Sequence, residues 1–134
     1  MQSLFEPKTK LPIDVDVFEQ MKKTAEAKLS RAEIGQYTQV VVLLSAMGNE
    51  YSTLIKDALS EEKADEADLF ERMKNSNDTE ICCVLCMWQD KCIDIPSYAF
   101  RESLCALNPK NTETLLFVMT ADGVSGIKIS TTMK

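Results

Sequence analysis

The stretch Glu80-Ile81-Cys82-Cys83-Val84-Leu85-Cys86-Met87-Trp88 decides how the rest of the chain is read. Turn-forming residues bracket it, Asn75-Ser76-Asn77-Asp78 before and Gln89-Asp90-Lys91 after. A short apolar run between such breaks reads as a buried strand. After Glu80 every position is apolar, so neither face of this strand suits water and both need cover. Leu115-Leu116-Phe117-Val118-Met119 repeats the pattern.

Working outward, Gln89-Asp90-Lys91 returns the chain as a hairpin into residues 92–95. Pro96-Ser97 then opens a helix over 98–107, with Phe100, Leu104 and Leu107 on one face, and Asn108-Pro109 stops it. Residues 114–120 form the next strand, and Ala121-Asp122-Gly123 turns it. Ile127 and Ile129 alternate with Lys128 and Ser130 in a half-polar edge strand. The expected fold class is α+β: N-terminal helices followed by a ββαββ unit, forming a four-stranded antiparallel sheet covered by helices on both faces.

Upstream, Asp16 and Glu19 mark a helix start, with Phe18, Met21, Ala25 and Leu29 at helical spacing. Ser30-Arg31-Ala32-Glu33 has the form of a capping box. From it Ile34, Tyr37, Val41, Leu44, Tyr51 and Ile55 keep a three-four rhythm, which predicts helix over 31–59 with a break at Gly48-Asn49. The competing reading is a buried strand over 39–47, which is rich in β-branched residues. An acidic helix follows over 64–74, with Ala67, Phe70 and Met73 inward. Residues 1–13 are expected as a loosely held arm, and residues 14–134 as a single α+β domain.

The chain has five cysteines and no histidine. Histidine-ligated zinc and Ser-His or Cys-His pairs are therefore excluded. An odd cysteine count and no basic, apolar leader point to reduced thiols in a cytoplasmic protein. No apolar run approaches the roughly 20 residues that span a bilayer. The net charge of −6 lies wholly within residues 57–71, where Lys63 is the only base among seven acids. With no basic cluster, nucleic acid is not an expected partner.

Four pieces of the sequence invite chemistry. Cys83-x-x-Cys86 has metal-ligand spacing, but on a strand residues three apart face opposite ways with Cα atoms about 10 Å apart. Zinc needs its sulfurs within about 4 Å of one another, so buried, inert thiols are expected, with no metal and no cofactor. The acidic residues Asp57, Glu61, Glu62, Asp65, Glu66 and Asp68 lack calcium-loop spacing, and read as a solvated face able to dock a basic protein. Gly123-Val124-Ser125-Gly126 lacks the spacing of a nucleophile elbow or phosphate loop and reads as a hairpin turn. Trp88, Cys92, Ser97 and Arg101 surround one hairpin and helix start, where a pocket would form.

These readings give two expected functions. The first is a non-enzymatic protein-binding module, antidote-, inhibitor- or chaperone-like, acting through the acidic helix and the edge strand near Ile127-Lys128-Ile129. Pairing of that edge between two copies would give a homodimer. The second is a small-ligand-binding protein or thiol-dependent enzyme using the Trp88, Cys92, Ser97 and Arg101 pocket.

Overall fold

The computed structural model describes residues 10–31, 33–60 and 64–133. The sheet grows from the predicted central strand, β3 (Ile81–Trp88). One edge of β3 pairs antiparallel with β1 (Gln39–Ser45), which pairs antiparallel with β2 (Glu50–Ile55). The other edge is shared. Cys83 and Val84 pair parallel with β5 (Leu115–Thr120), while Cys86 and Met87 pair with the two-residue β4 (Ile93–Asp94). β6 (Gly123–Lys128) closes the order β2-β1-β3-β5-β6.

The sheet is therefore six-stranded and mixed, not four-stranded and antiparallel. Two physical reasons account for the error. Strand β1 is buried at all but one of its positions, and an apolar run without alternation carries no period of its own. The helical rhythm through Val41 and Leu44 was a coincidence of such a run. Gly48, expected to break a helix, instead takes φ +88° in the β1–β2 turn, a conformation that suits glycine. Second, the helix after β3 carries the chain across the sheet, and a crossover of that kind returns a strand parallel to the first.

Helix α1 (Val15–Ser30) covers one face, packing Phe18, Met21, Ala25 and Leu29 on Val40, Val42, Cys83, Leu85, Met87 and Phe117. Those four residues are the ones its spacing predicted, although the cap is Asp14 rather than Asp16. Helices α2 (Ala64–Asn75) and α3 (Tyr98–Leu107) share the other face over Val41, Leu43, Val84, Cys86, Leu116 and Val118. In α2 the inward residues are Glu66, Leu69 and Met73, with Phe70 partly buried, while Ala67 is exposed. No helix among the described residues is long and apolar enough to cross a membrane.

The edge strand differs from its expected form. Ile127 and Ile129 are both fully buried, and Ile129 begins a short 3-10 turn rather than continuing the strand. Leu11 forms a two-bond bridge to Gly126 on the outer side of β6. A Cβ at Gly126 would lie 2.5 Å from Leu115 Cδ1, so that position has room only for glycine unless Leu115 moves.

Polar side chains pin the end of the sheet where β3 begins. Asn111, wholly buried, donates to the carbonyls of Thr79 and Leu104 and accepts from Ile81 N–H. Asp78 gathers Ser45, Asn49 and Tyr51. The opposite end, where β3 finishes, is where both crossover helices begin.

Candidate functional site

In α/β sheets, ligands bind beyond the carboxyl ends of parallel strands, where helix N-termini converge. Here β2 leads into α2 and β3 leads through β4 into α3, with both helices on one face of the sheet. Both helices therefore start toward the end of the sheet where β3 finishes, and they touch through Phe70 and Phe100.

The first turn of α2 carries Asp65 and Glu66. Asp65 Oδ2 accepts weakly from Lys56 N–H at 3.4 Å. Glu66 is only 6% exposed, contrary to the solvated acidic face expected from sequence. Its charge reaches the Cys86 thiol, which burial first, then Asp94 and Glu66, push far above the ordinary cysteine range. Asp94 is held by its neighbours: Oδ2 accepts from Trp88 Nε1 at 3.1 Å, and Oδ1 accepts from Ile95 N–H at 2.8 Å.

At the start of α3, Ser97 is the N-cap, its Oγ accepting from Phe100 N–H at 3.2 Å. Arg101 is buried and structurally committed. Its Nε donates to the Pro96 carbonyl and its Nη1 to the Thr132 carbonyl, both at 3.0 Å, and its guanidinium lies 5.6 Å from the centre of the Tyr98 ring. Burial lowers its pKa, partly offset by Tyr98 and Asp94. The Phe100 ring is 1% exposed and lies 5.3 Å from that of Phe70 on α2.

At the end of β3, Gln36, Tyr37, Trp88, Gln89 and Asp90 line a cleft of about 270 Å³. Gln89 N–H donates to the Thr38 carbonyl at 3.0 Å, which fixes the backbone there. Its side-chain Oε1 is buried with no hydrogen-bond partner. Asp90 accepts from Cys92 N–H at 3.0 Å, and that bond holds its carboxyl below the ordinary range.

Of the four predicted pocket residues, only Trp88 lines this cleft; Ser97 and Arg101 are occupied at the start of α3. The Cys92 carbonyl accepts from Trp88 N–H, and its thiol is raised, chiefly by burial. All five thiols are raised in this way, so none has the lowered pKa of an activated nucleophile. Cys83 and Cys86 face opposite sides of β3, Cys83 touching Met21 Sδ at 3.6 Å under α1. Among the predicted docking acids, Asp57 and Asp68 are exposed, Asp57 accepting from Leu59 N–H and Asp68 pairing with Arg72. Glu61 and Glu62 lie outside the described residues.

The class defined by this order of strands and helices is the cytidine deaminase fold. The chain superposes on cytidine deaminase from Mycobacterium leprae with TM-score 0.63 and 15% identity, covering 87% of this chain and 96% of that one. The Mycobacterium tuberculosis enzyme gives 0.64 at 12% identity (89% and 94% covered), and the Bacillus anthracis enzyme 0.66 at 10% (87% and 86%). No family model matches the sequence, and no curated protein does. The likeness corrects the expectation of a non-enzymatic protein-binding module, because the architecture is one that carries enzymes. Of the residues behind that expectation, Glu66 is buried in α2 and Ile127 and Ile129 are core residues, whereas Asp57, Asp68 and Lys128 are exposed.

Zinc-dependent base deaminases hold their metal by a His/Cys-x-Glu and Pro-Cys-x-x-Cys signature, in which the Glu is the general acid/base and not a ligand. The matching spacing in this chain is Ala64-Asp65-Glu66 and Pro96-Ser97-Tyr98-Ala99-Phe100. The glutamate and the proline are present, and all three ligand positions are changed. Zinc takes thiolate, imidazole or carboxylate donors, so alanine and phenylalanine supply none and the Ser97 hydroxyl is already a helix cap. Among the described residues no three His, Cys, Asp or Glu side chains are arranged to hold a metal ion. The residues present do not fit zinc. Sequence reading missed this framework because it searched for the cysteines and histidines of a metal site, not for the Glu and Pro that frame one.

Proposed function

We propose that this chain recognises a cytosine-type base or nucleoside in the cleft between Tyr37 and Trp88. The observation that carries the reading is the Gln89 Oε1 atom, a buried acceptor with no partner. Such an atom costs about 1–3 kcal/mol when left unpaired, and a ligand N–H, such as an exocyclic amino group, would remove that cost once the Gln89 side chain turns its oxygen into the cleft. The aromatic walls suit a flat ring, since stacking a base on an aromatic side chain contributes about 1–3 kcal/mol. The cleft volume fits a single-ring heterocycle better than a large ligand. Asp90 at its rim disfavours a phosphate, which points to a base or nucleoside rather than a nucleotide. The fold supports the same reading, since the three neighbours are enzymes named for cytidine.

Trp88 is the only tryptophan, so its fluorescence reports on the cleft directly. Titration with cytosine or cytidine should change the emission saturably. Gln89→Leu should weaken binding by about tenfold, the equivalent of about 1.4 kcal/mol, and should fold normally because the Gln89 side chain bonds nothing it would lose. Emission that stays flat to millimolar ligand, or a Gln89→Leu variant that binds as well as the wild type, would remove the proposal.

A further inference from the structure

We propose that the junction of α2 and α3 is closed by hydrocarbon where the zinc deaminases close it with a metal, so that this chain folds and works without zinc. The spacing of the signature puts one ligand position at residue 64, at the start of α2, and two at residues 97 and 100, at the start of α3. A metal held from these positions would tie the two helix starts together. In this chain Phe100 joins the start of α3 to the body of α2 instead, through Phe70. Its ring packs on Phe70 of α2 and belongs to the cluster of Val84, Cys86, Leu104 and Leu116.

The substitution changes what kind of interaction holds the site. A tie made by metal ligands depends on deprotonated donors and a supply of metal, and is undone by chelators. A ring-on-ring contact needs neither and is insensitive to both. It also removes the means of generating metal-bound hydroxide, so metal-assisted hydrolysis is closed to such a chain. Glu66, at the position of the signature's general acid/base, stays buried beside Cys86 although the metal it would serve has no ligands.

The test uses the full chain expressed in zinc-supplemented medium and purified without chelator. Elemental analysis should find only trace zinc, and the thermal midpoint should not move with chelator or added zinc. Stoichiometric zinc that survives dialysis against chelator, or a midpoint that falls when chelator is added, would overturn the proposal. The triple variant Ala64→Cys, Ser97→Cys, Phe100→Cys should bind one zinc per chain and become chelator-sensitive. If that variant folds and takes up no zinc, positions 64, 97 and 100 do not converge and the proposal fails. If it does not fold, the wild-type zinc content and midpoint still decide.

Discussion

Phe100→Ala should destabilise the protein by about 4 kcal/mol, within the range for truncating a buried phenylalanine. The ring is 1% exposed and is pressed between α2 and the sheet, with Phe70 on one side and Val84, Cys86 and Leu116 among its cluster. Truncation loses the transfer energy of the ring and leaves a cavity that the two helices cannot easily collapse into. Ser97, which caps α3 by accepting from Phe100 N–H, keeps that bond in the variant because it uses the backbone. The loss should therefore appear as a lower denaturant midpoint with an unchanged slope. Phe100→Leu, which keeps most of the apolar volume but loses the ring, should cost clearly less than Phe100→Ala. Were the alanine variant to lose less than the leucine variant, the ring would not be the tie between the helices.

Asp78→Ala should be almost as damaging, at about 3 kcal/mol, since it strips three donors of a charged acceptor. Asp78 is 2% exposed, and its Oδ2 accepts from Ser45 Oγ, Asn49 Nδ2 and Tyr51 Oη at 2.9 Å each. These bonds join the β1–β2 hairpin to the chain just before β3. Burial alone would raise the carboxyl pKa, but the bonds from Asn49, Ser45 and Tyr51 together pull it below its ordinary 3.8. The folded state therefore binds this proton less readily than the unfolded chain. The contribution is complete above pH 3.8 and is lost as pH falls below it. Stability of the wild type should drop in that acid window, and the drop should be shallower in Asp78→Ala. An equally steep acid loss in the variant would assign it to other carboxylates.

The contrast between β3 and β1 shows what could be read from the chain. Residues 80–88 have turn signals on both sides and no helical spacing to confuse them, so the strand, its hairpin and the helix capped by Ser97 were legible. Val40-Val41-Val42-Leu43-Leu44 has only Gly48-Asn49 as punctuation, and the same glycine serves a kinked helix or a hairpin. With β1 and β2 unread, the parallel register of β3 and β5 and the placing of both helix starts toward one end of the sheet were out of reach. Glu66 was illegible for a different reason. It sits in a run of acids whose neighbours Ala67, Asp68 and Glu71 are exposed, and only the fold turns one of them inward. Gln89 carried no signal at all, because an orphaned acceptor is a property of packing.

The central claim, that a base is read at the end of β3, is tested most directly by a crystal structure of the protein with cytosine bound. The ring should lie between Tyr37 and Trp88, with a ligand N–H within hydrogen-bond distance of Gln89 Oε1. Cytosine seated away from this cleft, or a Gln89 Oε1 still without a partner in the complex, would contradict it.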